Sequence, residues 1–225
     1  MLLLAADTSG QHGSIALAEC GPGDECRTLE VVPLTGGTFS AQLVPQIAAL
    51  LEKHGFTKRD IGAFAVASGP GSFTGLRVGL AAIKALAEVL QKPIAAVSLL
   101  EAVADSSESR GRILAALDAG RNEVYVGEFD IGGSETRLVS EKLMKREECF
   151  QSAQDSTMVT PDQNLAQAAR LLGLGLEEVE YPGSDAIARL GWRRIQAGQT
   201  VSPEELEANY IRRSDAEIFA RSNPG

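Results

Sequence analysis

The chain begins its pattern of apolar strands twice, and this internal repeat limits its possible folds more than any other feature. Leu2–Asp7 reads LLLAAD and Arg112–Asp118 reads RILAALD, and each run ends in aspartate. A short turn and a second strand pattern follow in both places, at Ser14–Glu19 and at Val124–Asp130. The second copy starts near the middle of the chain. We therefore predict two halves that each open with a strand hairpin.

Strand and helix patterns alternate behind each hairpin. In the first half the periodicity predicts strands at 26–33, 64–68 and 94–97, and helices at 40–54, 74–90 and 99–104. In the second half it predicts strands at 136–141 and 210–212, and helices at 145–153, 164–172 and 185–197. This order predicts an α/β fold of two lobes, each with a mixed sheet and flanking helices, as in the actin-like (ASKHA, ribonuclease H-like) superfamily of sugar kinases and Hsp70 proteins. We expect residues 1–105 and a returning segment, 207–225, in the first lobe, and 106–206 in the second.

The composition narrows the class of function. The net charge of −9 repels a phosphate backbone, so a stand-alone nucleic-acid binder is disfavoured. The N-terminus lacks a basic leader and no apolar run is long enough for a membrane span, which predicts a soluble, cytoplasmic protein. The three cysteines form no metal or disulfide framework and are expected to be reduced, although a pairing of Cys20 with Cys26 across a Gly-Pro-Gly turn stays open.

A glycine-rich loop, ASGPGSFTGLRVG at Ala67–Gly79, runs into an apolar helix. It is not a Walker loop, because Leu76 follows Gly75, and a dinucleotide fingerprint would need glycine in place of Thr74. An anion at the helix start is one interpretation, with Arg77 as the nearby cation. Close packing of another helix and a protein interface are favoured. The loop candidates are Gly69, Gly71, Ser72, Thr74 and Gly75.

The helix that follows this loop is apolar on nearly every side, which indicates that it is buried all round. In so small a protein, that much apolar surface predicts cover by a second chain. The candidates for the covered patch on the helices 40–54 and 74–90 are Leu43, Ile47, Leu51, Leu76, Leu80 and Ile83.

Two further sets of residues bear on catalysis. Asp7 and Asp118 end the repeated strands and are candidates for a vestigial cleft, where two carboxylates can hold Mg²⁺ through water; turn capping is favoured for both. The two histidines, His12 and His54, lie in no HxxxH or HExxH spacing.

Together these segments resemble the TsaB (YeaZ) family, the dimerisation subunits of the bacterial tRNA threonylcarbamoyladenosine machinery. The resemblance rests on LLAADTSGQHGSIALAE, ASGPGSFTGLRVG with the helix after it, LAALDAGRNEVYVGEF and ANYIRR, and spans residues 2 to about 213. One departure is Phe39-Ser40, where family members often carry His-Ser.

The resemblance implies a subunit without catalysis, metal or cofactor of its own. It would dimerise with the catalytic subunit TsaD, or with itself, and support the ATPase TsaE. The complex would transfer threonylcarbamoyl to adenosine 37 of tRNAs that read codons beginning with A, and this chain would meet tRNA only indirectly. The alternatives are a small actin-like kinase or phosphotransferase using Mg-nucleotide at Asp7 and Asp118, and, with little support, a peptidase.

Overall fold

The computed structural model describes residues 1–35, 37–132 and 135–212, which form two compact units. The first unit contains Met1–Ala102 and Pro182–Ala208, and the second contains Val103–Tyr181 and, among the described residues, 209–212. The division of the chain at residue 105, with 207–225 returning to the first lobe, stays a prediction. Residues 213–225 lie outside the described residues.

The sheet of the first unit has five strands, β1 (Leu2–Asp7), β2 (His12–Cys20), β3 (Cys26–Thr35), β4 (Ile61–Gly69) and β5 (Ile94–Ser98). Their order in space is β3-β2-β1-β4-β5. The first three pair antiparallel, so the predicted hairpin is confirmed and β3 extends it, and β4 and β5 run parallel to β1. Every residue of β1 is buried, so its continuous apolar run is that of a central strand covered on both faces.

The sheet of the second unit repeats this arrangement. Its strands are β6 (Gly111–Gly120), β7 (Glu123–Gly132), β8 (Glu135–Lys145), β9 (Thr157–Thr160) and β10 (Leu176–Glu178), in the order β8-β7-β6-β9-β10. The repeat seen in the sequence is thus a repeat of topology. The pattern missed β9 and β10, because four and three residues are too few to show an alternation.

The described residues form six α-helices: α1 (Phe39–Lys53), α2 (Phe73–Leu90), α3 (Leu99–Asp105), α4 (Arg146–Ser152), α5 (Gln163–Leu171) and α6 (Ser184–Gln196). The predicted bounds agree with these to within one residue. The strand predicted at 210–212 is wrong, since these described residues lie in no strand. None of the described helices is both long enough and apolar enough to cross a membrane.

Helices cover both faces of the first sheet. Phe64 and Val66 of β4 join the core cluster to which α1 and α2 contribute. Ala65 lies between them and faces the other way, where a Cβ on Gly191 of α6 would come within 2.4 Å of the Ala65 Cβ. This close packing of α6 on a sheet face lined by small residues brings the segment 182–208 back to the first unit.

Several hydrogen bonds join α6 to the strands and the turn of the first unit, and two of them involve β2 and the turn after it. The backbone N–H of Ser184 donates to the Ser14 hydroxyl of β2 at 3.0 Å, and the indole N–H of Trp192 donates to the Gly23 carbonyl at 2.8 Å. Gly23 lies in the turn between β2 and β3. These partners are about 170 residues away in sequence, so local patterning gives no signal for them.

Candidate functional site

The glycine-rich loop connects β4 to the start of α2. Ser72 is the N-cap residue, and its hydroxyl accepts a hydrogen bond from the Gly75 N–H at 3.3 Å. Thr74, one of the loop candidates, lies inside the first turn of the helix, because the helix already begins at Phe73.

Three glycines in this region face the turn that follows β1. A Cβ on Gly71 would lie 2.4 Å from the Ser9 carbonyl oxygen, and one on Gly75 would lie 2.1 Å from the Thr8 carbonyl oxygen. A Cβ on Gly79 would lie 2.3 Å from the Thr8 hydroxyl. These distances are far inside normal contact, so only glycine allows this approach. The close neighbour of Gly75 and Gly79 is thus a turn of the same chain, where the sequence analysis expected another helix.

Hydrogen bonds hold the loop and the turn together. The Thr8 hydroxyl donates to the Gly75 carbonyl at 2.7 Å, and the Ser72 N–H donates to the Ser9 carbonyl at 2.6 Å. Two N–H groups at this helix start, those of Ser72 and Gly75, therefore have partners within the chain. This use of the donors favours packing over the binding of an anion. The Arg77 guanidinium lies over the Phe73 ring, 3.7 Å from its centroid.

Asp7 is enclosed in the same turn. Its side chain is 1% exposed, and its Oδ1 accepts hydrogen bonds from the Ser9 N–H at 2.8 Å and the Ser9 hydroxyl at 2.6 Å. Its Oδ2 is buried and has no hydrogen-bond partner among the described residues. Burial raises the pKa of Asp7, and the two bonds from Ser9 lower it by less. The capping bonds match the turn role that the sequence favoured.

Asp118 ends β6 of the second unit in different surroundings. Its side chain is 37% exposed, and its Oδ1 accepts a hydrogen bond from the Gly120 N–H at 3.1 Å. Arg146 lies 3.8 Å from the same oxygen. The Asp118 N–H donates to the Asp162 carboxylate at 2.7 Å, and burial raises the pKa of Asp162. Asp162, which precedes α5, was not among the predicted residues.

The six apolar candidates face the interior of their own chain. All are at most 6% exposed and belong to the core cluster of the first unit: Leu43, Ile47, Leu51, Leu76, Leu80 and Ile83. The physical reason is that both helices turn their largest side chains toward the sheet. An interface on these helices stays a prediction, but other residues would have to form it.

Several exposed residues of α1 and α2 are small and uncharged, beside exposed charged residues such as Arg77 and Glu88. We call the small ones the alanine face and define it by five exposed residues on the two neighbouring helices: Ala41, Val44, Ala48, Ala81 and Ala85. Val44 is 54% exposed. These residues were not among the predicted candidates, because the predicted patch consisted of large side chains. Ala81 and Ala85 at i, i+4 were the available signal, since small residues let two helices approach closely.

Among the described residues, no three side chains of the types His, Cys, Asp and Glu lie close enough together to hold a metal ion. Asp7 and Asp118 belong to different units, and each is engaged in its own turn.

Comparisons with known proteins give concordant results. The family described as "TsaD: tRNA N6-adenosine threonylcarbamoyltransferase" matches residues 31–190. The tRNA threonylcarbamoyladenosine biosynthesis protein TsaB of Escherichia coli is 30% identical, over 96% of this chain and 96% of its own length. TsaB of Haemophilus influenzae is 26% identical, over 100% and 98% of the two chains.

Solved structures agree in fold. YeaZ from Pseudomonas aeruginosa superimposes with a TM-score of 0.72 at 27% identity, covering 93% of this chain and 99% of that one. A ROK family protein from Streptococcus pneumoniae covers 88% and 100% with a TM-score of 0.52 at 10% identity, which shows the fold alone. The chain thus has the predicted actin-like fold of two duplicated halves.

Proposed function

The chain belongs to the TsaB (YeaZ) family of tRNA threonylcarbamoyladenosine biosynthesis proteins, related to TsaD, and from this premise we propose that it is a non-catalytic partner subunit in that modification. It would be required for threonylcarbamoylation of adenosine 37 in tRNAs that read codons beginning with A. The observation that carries the proposal is the similarity to TsaB proteins over nearly the whole length of both chains.

The proposed partner is the catalytic subunit TsaD, and the proposed docking surface is the alanine face. Its five residues carry no charge, so burying these five side chains desolvates no ion, and Arg77 on α2 would belong to the rim of the contact. Their short side chains also lose little rotamer entropy on burial. A second copy of the chain would use the same surface, so that self-association and TsaD binding would compete.

The proposal that the chain is non-catalytic is supported by the spacing of its histidines and by the surroundings of Asp7. The only two histidines stand 42 positions apart, at His12 and His54, so no pair has the HxxxH spacing of a helix-borne metal site. Asp7 is buried in its turn, and its Oδ1 is occupied by Ser9. We infer that this chain acts in the cytoplasm, supports TsaE within the complex and meets tRNA indirectly.

The test is a reconstituted modification assay with TsaD, TsaE, threonylcarbamoyl-adenylate and substrate tRNA. We expect threonylcarbamoyl-tRNA to form only when this chain is added. Val44→Asp should weaken TsaD binding about 30-fold, because a charge would be buried at the centre of the interface. Calorimetry measures the affinity, and the assay measures the matching loss of product at limiting subunit concentration.

Val139→Asp is the matched control, because Val139 is 52% exposed but lies on β8 in the second unit. It should bind TsaD like the unchanged chain. Full modification without the chain would refute the function. Equal binding by both variants would instead refute only the alanine face as the docking surface.

The kinase alternative makes a different prediction in the same calorimeter. A kinase would bind Mg-ATP without TsaD and would lose that binding on Asp7→Asn. Under our proposal the isolated chain releases no heat of binding with Mg-ATP.

A further inference from the structure

Cys20 and Cys26 stand directly opposite each other at the ends of β2 and β3. Their Sγ atoms are 2.7 Å apart. Both are free thiols in the structure, and they close a seven-residue stretch, CGPGDEC, which contains the turn between the strands. From this juxtaposition we propose that Cys20 and Cys26 are a redox modification site that forms a reversible intrachain disulfide by exchange with a small-molecule disulfide of the glutathione type.

The backbone already has the pairing that such a bridge needs. Cys20 exchanges both of its main-chain hydrogen bonds with Met1: its N–H donates to the Met1 carbonyl at 2.8 Å, and its carbonyl accepts from the Met1 nitrogen at 2.6 Å. On the side of β3 it is therefore a non-hydrogen-bonded position, where facing side chains approach most closely. The next pair supports this register, because the Gly21 N–H donates to the Glu25 carbonyl at 2.8 Å.

The two thiols differ in a way that assigns the order of events. Cys26 is half-buried, whereas Cys20 is 4% exposed, so a small disulfide reaches Cys26 first. The hydrogen bond between the two sulfurs lowers the pKa of Cys26, burial opposes it, and the positive charge of Arg189 on α6 lowers it further. The same hydrogen bond, with burial, raises the pKa of Cys20. Cys26 is thus the attacking thiolate and Cys20 the resolving thiol.

The exchange balances without any further reagent. The Cys26 thiolate attacks one sulfur of the small disulfide, forms a mixed disulfide and releases one thiolate. That thiolate takes up the proton of Cys20, whose sulfur then attacks the Cys26 sulfur and releases the second small thiolate. The two cysteines lose two electrons in total, and the small disulfide gains the same two electrons as it becomes one thiol and one thiolate, which takes up from water the proton that Cys26 had released.

The bridge would act on the contact between this hairpin and α6. The Trp192 indole donates to the Gly23 carbonyl, and Gly23 lies inside the stretch that the bridge closes. Closing a short loop restricts the unfolded chain, so the bridged form is expected to be the more stable one. Trp192 is the only tryptophan in the chain, which makes its fluorescence a specific probe of this contact.

The experiment uses the full-length chain in a series of glutathione buffers from fully reduced to fully oxidised. Samples are acid-quenched, treated with N-ethylmaleimide, digested with trypsin and weighed by mass spectrometry. Arg27 is the first arginine or lysine, where trypsin cleaves, so both cysteines lie in the peptide 1–27, whereas Cys149 lies in the peptide 147–170. We expect the first peptide to become two hydrogens lighter and to carry no maleimide as oxidised glutathione rises.

Cys149 is the built-in reference. It is fully buried, and burial raises its pKa to about 12, so its peptide should carry no glutathione and form no bridge throughout the series. Cys149→Ser should leave closure at 20–26 unchanged, whereas Cys26→Ser should abolish it. The bridged form should melt about 5 °C higher and show altered Trp192 fluorescence, and Cys26→Ser should show neither change.

Three results would overturn the proposal. The first is a peptide 1–27 that takes up two maleimides in every buffer. The second is a peptide that carries glutathione but never closes. The third is a bridge that links two chains rather than two cysteines of one chain.

Discussion

Corresponding corners of the two units are built in opposite ways. Asp7 and Asp118 end equivalent strands, β1 and β6, and each is followed by a turn beside the start of a helix. In the first unit Asp7 is 1% exposed, and the glycine side of α2 lies against the turn. In the second unit Asp118 is 37% exposed at its side chain.

The means of contact differ as well. In the first unit the contact involves backbone atoms, with the Thr8 hydroxyl on the Gly75 carbonyl and the Ser72 N–H on the Ser9 carbonyl. In the second unit a side chain spans the distance, because the Asp162 carboxylate accepts from the Asp118 N–H. The helices beside the two turns also differ in length, since α2 has 18 residues and α5 has 9. The glycine-rich loop therefore serves close packing in only one of the two copies of the duplicated fold.

The largest effect is expected where a side chain is forced into the tight corner. Gly75→Ala places a Cβ 2.1 Å from the Thr8 carbonyl oxygen, and that backbone atom must move. We expect a loss of about 3 kcal/mol in unfolding free energy. Urea unfolding followed by Trp192 fluorescence measures it, since Trp192 lies in the first unit. Gly132→Ala on β7 is the control, because a Cβ there meets nothing within 4 Å. It should change the free energy of unfolding by less than about 0.5 kcal/mol, measured by urea unfolding followed by circular dichroism.

The second effect concerns the hydrogen bond that joins the turn to the neighbouring segment in each unit. Its loss should lower the free energy of unfolding by less than Gly75→Ala does, and by more in the first unit than in the second. Thr8→Val leaves the buried Gly75 carbonyl without the Thr8 donor, at a cost of about 1.5 kcal/mol. Thr8→Ser keeps the hydroxyl and should recover most of that loss. Asp162→Ala should cost about 0.5 kcal/mol, because water can reach exposed Asp118 and replace the lost acceptor. Urea and circular dichroism compare the variants, and an equal cost for Thr8→Val and Asp162→Ala would contradict the contrast.

The smallest effect is a pH dependence at Asp7. Its pKa is raised in the folded state, so between the ordinary aspartate range and the raised value the folded chain binds more protons than the unfolded chain. Its contribution to stability therefore falls as pH rises through that window. Asp7→Asn removes this penalty and should stabilise the first unit by about 1 kcal/mol at pH 7, with the gain disappearing toward pH 3. Urea midpoints at the two pH values test this, and a gain that grows at low pH would contradict it.

Asp118→Asn provides the reference for that measurement. Asp118 is exposed, so its replacement should change stability by less than about 0.5 kcal/mol at pH 7. A larger change in stability for Asp118→Asn than for Asp7→Asn would contradict the contrast between the two units.

By itself the sequence determined the order and type of most elements, the duplication and the family. Apolar periodicity is a local property, and the helices and longer strands carry it over enough residues to be recognised. The strands β9 and β10 escaped because they are too short for a period to show. The aspartates at the strand ends and the glycine-rich loop were also visible, because turn and helix-start chemistry depends on residue types close together in the chain.

Only the tertiary structure decided what those residues contact. It turned Leu43, Leu80 and their neighbours inward and left the alanine face outside, brought Thr8 against the glycines, and returned α6 to the first unit. It also set the register that places Cys20 opposite Cys26. Such contacts join residues far apart in the chain or depend on the pairing of two elements. They follow from how whole surfaces pack together, and no local window of sequence contains that information.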